Sequence, residues 1–155
     1  MAEETSLSFN KFFTLVIVSA FMASSACATA ADKSAERRFK AVLDARMASV
    51  TPPGVGSDPK KVNQLFEAVD ALGHLGREAD GVLVDLFDYY LGEGSGEDLA
   101  NLIIQRGYRM IPALTERKRQ PLKCLPEYES ICRENVGNRN AVIDSVIDGI
   151  KSKNR

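Results

Sequence analysis

Three cysteines, a single histidine and a run of carboxylates are the side chains of this 155-residue chain whose types and spacing could support chemistry. Cys124 and Cys132 lie eight residues apart. In one straight helix that spacing would separate them by about 12 Å, at 1.5 Å rise per residue. A disulfide requires Cα atoms roughly 4.4–6.8 Å apart. Pro126 lies between them and marks a turn with a new helix beginning after it, which brings a Cys124–Cys132 disulfide within reach. The competing reading is two unpaired buried thiols. His74 has no second histidine to work with. A zinc site there would have to be completed by Asp and Glu, so a capping or solvent role is expected and no metal site is assigned. The chain has no G-x-S-x-G elbow, no phosphate-binding glycine loop and no Cys/His nucleophile signature. Asp85 and Asp88 are three apart and could flank a scissile bond. With Asp80 they read instead as the solvated face of a helix whose other face is Leu83, Leu86 and Phe87. Neither catalytic residues nor a cofactor are expected.

Charge is balanced overall but divided along the chain. Asp58 to Gln105 holds ten acids and three bases, while Arg106 to Arg155 holds eleven bases and six acids. Mutual attraction of the two halves across the fold is the first expectation. An acidic face offered to a basic partner is the second. Asp80, Asp85, Asp88, Glu93, Glu97 and Asp98 form the candidate partner face. Tyr89 is added as an anchor, because Tyr89 and Tyr90 cannot both point inward from one helix. Arg117, Lys118, Arg119 and Lys123 form a basic cluster. Export argues against nucleic acid, leaving an acidic partner or anionic headgroups as its counterpart.

Residues 1–30 read as a secretory signal segment, and 31–155 as the folded domain. From Phe12 to Ala31 there are twenty residues without a charge, bulky and apolar at first, then small. That gradient suits translocation followed by cleavage, with Ala28-Thr29-Ala30 as an A-x-A site. Ser25-Ala26-Cys27 also resembles the end of a bacterial lipoprotein signal, which would make Cys27 a lipidation site. An uncleaved anchor is the third alternative. Export to the periplasm, or to the outer membrane through a lipid, follows from the first two readings. Membrane contact is expected only through that lipid or anchor. An oxidising compartment also agrees with the Cys124–Cys132 pair.

The elements that must position these residues are helices. Apolar spacing predicts helices over Lys33–Val50, from Asp58 with Pro59 in its first turn to Gly73, over Glu78–Leu91, and from Ser95 to Arg106. Ser95 and Asp98 read as a capping-box pair. Tyr108–Lys118 supplies another helix, which Pro112 allows only if it starts near Ile111. A short helix follows Pro126, and the last covers Asn138–Lys151 with Val142, Val146 and Ile150 inside and Ile143 as a further candidate. No window alternates with period two. The expected class is all-α, a small bundle of five to six antiparallel helices.

A shift of thirty-one residues aligns Ala68, Val69, Ala71 and Leu72 with Leu99, Ala100, Leu102 and Ile103, and Gly76 with Gly107. Together with the turn from Ala71 to Ala79, this spacing resembles the HEAT-like class of stacked helical hairpins over about residues 58–118. The resemblance implies a protein-binding surface without catalysis. In size, export and helix content the chain is also similar to periplasmic immunity proteins, which neutralise toxins delivered by rival cells. The leading expectation is therefore a non-enzymatic protein-binding module of the bacterial envelope, its partner being a protein with a basic surface. An envelope enzyme or carrier with a scattered acidic site, and a lipid-anchored structural protein, are the alternatives.

Overall fold

Helix α1 covers residues 30–49, and its apolar positions Val42 and Leu43 are fully buried. It belongs to a computed structural model that describes residues 30–153; the expected signal segment, with Cys27, lies outside the described residues. The packed body begins at Ala35. Helix α2, Pro59–Gly73, starts as its sequence requires: the Asp58 carboxylate accepts from the Lys60 N–H at 3.0 Å, and Pro59 occupies the first turn. A 3-10 turn at Arg77–Ala79 leads into α3, Asp80–Asp85, and a second at Leu86–Asp88 ends it. Helix α4 is Glu93–Arg106, followed by a 3-10 turn at Gly107–Met110 and by α5, Ile111–Arg119. Helices α6, Glu129–Arg133, and α7, Arg139–Lys153, complete the described chain. The described residues contain helices and no strand, so the fold is all-α.

Glycines report how the helices lie against one another. The position a Cβ would take at Gly94 is 2.8 Å from the Phe66 ring, and at Gly73 it is 2.6 Å from a Leu102 methyl. Both numbers rise together along the two chains, so α2 and α4 run side by side in the same sense. Helix α7 continues this layer, since Gly149 meets Ile104 at its far end, with a would-be Cβ 2.7 Å from the Ile104 Cδ1. The second layer is α3 packed on α5, and α5 also packs on α7. The shared hydrophobic core includes Leu72, Leu83, Leu86, Leu99, Ile103, Leu114 and Ile150, all buried. Each such side chain contributes about 1.5–3 kcal/mol relative to an exposed one.

Several expected boundaries moved, each for a local reason. The helix expected over Glu78–Leu91 is only partly α-helical. It tightens to 3-10 at Leu86 and leaves helical geometry at Tyr89, which is extended with φ −117° and ψ 142°. The Ser95–Asp98 capping box does not form. Helix α4 begins two residues earlier, with Gly92 as its N-cap at φ 87°, and Ser95 is buried within the helix. Helix α5 does start at Ile111, which places Pro112 in its first turn, where it costs no hydrogen bond. On α7 the buried face is Ile143, Val146, Ile147 and Ile150, while Val142 is 39% exposed.

Candidate functional site

Asp88, expected on a solvated face, is 1% exposed, and it lies between Arg117 and Arg139, which are 6% and 7% exposed. Its Oδ1 accepts from Arg117 Nε and from Arg139 Nη1, each at 3.1 Å. Its Oδ2 accepts from Arg117 Nη2 and from the Lys123 backbone N–H, the latter at 2.8 Å. The outward donors of the two guanidinium groups are taken by main-chain and side-chain oxygens: Arg117 Nη2 donates to Pro121 O at 3.0 Å and its Nη1 to Gln120 Oε1 at 2.8 Å, while Arg139 Nη2 donates to Gln120 O at 2.8 Å and its Nε to Asn140 Oδ1 at 3.1 Å. Among the described residues no buried side-chain nitrogen or oxygen lacks a partner. Charges this deep require such complete pairing. The triad therefore holds the segment after α5 in place, and it offers no free group for catalysis.

Tyr89 is also a correction. It is 4% exposed and cannot anchor a partner. Because the chain is extended there, its ring turns into the core, edge-on to Phe39 and Tyr128 at centroid distances of 6.0 and 6.4 Å. Its hydroxyl donates to Lys123 O at 3.0 Å and accepts from the Leu125 N–H at 3.1 Å. Burial raises the Tyr89 pKa above its usual 10.0. Tyr128, buried and donating to Asp44 at 2.7 Å, is pushed up to about 12, burial being the larger cause and the Asp44 hydrogen bond the next. Immediately beyond, Cys124 and Cys132 form a disulfide with a Cα–Cα distance of 5.8 Å. The turn at Pro126–Tyr128 is what brings them into range.

Asp80 is occupied as well. Both Arg106 and Arg109 pair with it, Arg109 Nε at 3.1 Å. Arg106 also reaches the end of α2, donating to the carbonyls of Gly73, Leu75 and Gly76 at 3.1, 2.8 and 2.8 Å. The Gly73 oxygen is at the C-terminus of α2, where the last carbonyls have no partner within the helix and a cation is favoured by the dipole; the Gly76 oxygen is shared with the Ala79 N–H at 3.2 Å. Asp85 is half-exposed and lies 3.8 Å from Arg117. Desolvation raises its pKa above 3.8, outweighing the opposing pull of Arg117 and Lys123. The arginines that hold Asp80 and Asp88 belong to the basic second half of the chain. The attraction expected between the two halves is therefore realised inside the fold.

Three members of the candidate face remain at the surface. Glu93, Glu97 and Asp98 are exposed, and they have no ion-pair partner among the described residues. Glu93 and Glu97 are one turn apart on α4 and border a cleft of about 310 Å3 whose apolar lining includes Leu91, Leu99, Val142 and Val146. The basic cluster is broken up: Arg117 is buried on Asp88, Lys118 pairs with Asp144, and Arg119 is exposed. With Lys151, Lys118 and Arg119 border a second groove between α5 and α7. His74 caps α2, and its ring meets Asp70 at 3.0 Å in solvent. Among the described residues no group of three or more His, Cys, Asp and Glu is gathered to hold a metal, and no helix is long and apolar enough to cross a membrane.

Sequence reasoning missed the three arginines, Arg106, Arg117 and Arg139, that consume the inner carboxylates. The division of charge between the halves was the available signal, but it does not say which base meets which acid. No protein-family model matches the chain, and neither a curated protein nor a solved structure is found to be similar to it.

Proposed function

We propose that this protein is a non-enzymatic protein-binding module of the bacterial cell envelope, exported by its N-terminal segment. It acts through the surface of α4 on a partner with a basic surface, and a toxin-neutralising immunity role fits this reading. The observation that carries it is the contrast between the acids. Asp80 and Asp88 are paired internally, whereas Glu93, Glu97 and Asp98 stay exposed and unpaired beside an apolar cleft. Exposed carboxylates without an ion-pair partner among the described residues, next to apolar surface, are what a contact face for a cationic partner needs. The disulfide agrees with an oxidising compartment.

The test is affinity capture from the envelope fraction of the source cell, with bait and prey identified by mass spectrometry. Wild type is compared with a Glu93→Lys, Glu97→Lys, Asp98→Lys triple variant. A prey lost specifically from the variant supports the reading; prey retained unchanged rejects it. The intact mass of the bait reads the processing site and any lipid in the same run.

A further inference from the structure

The cleft beside α4 has a shape and a charge that select its occupant. Its volume, about 310 Å3, is at the lower limit of small-molecule pockets, roughly 300–1,000 Å3. That is room for an extended side chain and its backbone. The floor is apolar, with Leu91, Leu99 and Val146 buried, and Val142 stands exposed at the wall. Glu93 and Glu97 close the rim with two free carboxylates. An anion would be repelled there. A purely apolar occupant would strip water from the carboxylates and return nothing to them. A side chain with an aliphatic stem and a cationic tip satisfies both parts at once. The nearby aromatic ring of Tyr90 does not supply the attraction, because Arg46 already lies 5.3 Å over it.

We propose that this cleft is the anchor pocket for a cationic side chain of the partner protein. Arginine fits best, with its stem against Leu91, Val142 and Val146 and its guanidinium between Glu93 and Glu97. A guanidinium is more weakly hydrated than an ammonium and can engage carboxylates with two parallel donors, so it loses less on entering a half-apolar site. The proposal rests on the binding reading given above and names what the partner must present.

The experiment titrates the exported chain, disulfide intact, with n-butylguanidinium and with its neutral analogue n-butylurea, following methyl NMR signals. The cation is expected to shift Leu91, Val142 and Val146 and to bind about tenfold more tightly than the urea, the range of one charge-assisted hydrogen bond. Glu93→Gln with Glu97→Gln should remove that preference while keeping the shape of the rim. Gly96→Leu, placed where an added Cβ meets nothing within 4 Å, should block both compounds by narrowing the cleft. Equal binding of the two compounds, or an unchanged preference in the double Gln variant, overturns the proposal. Partner capture is read separately. Capture lost on charge reversal without entry of the cation sinks the pocket and leaves the binding reading standing; entry of the cation with capture indifferent to α4 sinks the binding reading and, with it, the assignment of the pocket to a partner.

Discussion

Arg117, in the last turn of α5, donates to both carboxylate oxygens of Asp88, which lies at the end of the 3-10 turn after α3. The pair is closed off from water, and Arg139 from α7 completes it. Removing the acid would leave two buried guanidinium groups facing each other. Asp88→Asn is expected to destabilise the fold by about 3–5 kcal/mol, the range for breaking a buried pair. Urea unfolding measures it. A loss under 1 kcal/mol would mean that water reaches the triad.

Arg106 connects α4 to the carbonyl end of α2 and to Asp80. Arg106→Ala should cost about 1.5–3 kcal/mol, the range for hydrogen bonds to a charged group. Arg106→Lys should recover only part of it, because an ammonium cannot span three carbonyls and a carboxylate in a planar fork. Amide exchange would locate the damage: protection should fall at the end of α2 and at Arg77–Ala79 before the rest of the body.

The Cys124–Cys132 bridge closes a loop of eight residues. Loop-closure entropy for that length corresponds to about 2.5 kcal/mol. Reduction should lower stability by that order without unfolding the body, because the Asp88 triad and Tyr89 hold the same segment independently. Unfolding curves with and without reductant test this, and complete unfolding on reduction would contradict it.

Two groups predict opposite ends of the pH profile. A carboxyl with a raised folded-state pKa keeps its proton in the native state after the unfolded chain has released it. The contribution of Asp85 is therefore fully present below pH 3.8 and is lost as the pH rises through its elevated value. Asp85→Asn should be at least as stable as the parent at pH 7, with the advantage growing above pH 3.8. If it is less stable at pH 7, attraction to Arg117 outweighs burial. Tyr128 follows the same sign in alkali: its contribution is complete below pH 10.0 and lost as the pH passes about 12. Ultraviolet titration against Tyr128→Phe should show one phenol ionising near that upper value.

Glycine substitutions should separate free helix surface from helix contact. Gly96 in α4 has open space where a Cβ would go, so Gly96→Ala should stabilise by about 0.5–1 kcal/mol. Gly149→Ala meets the Ile104 side chain at 2.7 Å and should gain less or lose stability. Thermal melts rank the two. The reverse order would place α7 differently on α4.

The sequence by itself determined the all-α class, the start of α2 at Asp58-Pro59, the start of α5 at Ile111 and the range of Cys124 to Cys132 across a proline turn. These features depend on neighbours a few residues apart, where backbone geometry and hydrogen-bond capping act. Only the tertiary structure decided the fate of the acids. Asp80, Asp88, Glu93 and Glu97 carry the same charge in similar local sequence, yet two are paired inside the fold and two face solvent. Which acids remain free depends on where Arg106, Arg117 and Arg139 arrive from, 26, 29 and 51 residues away along the chain. The same holds for Tyr89, which lies in the core because the helix tightens and ends before it. Helical spacing cannot report that, since the spacing presumes the helix continues.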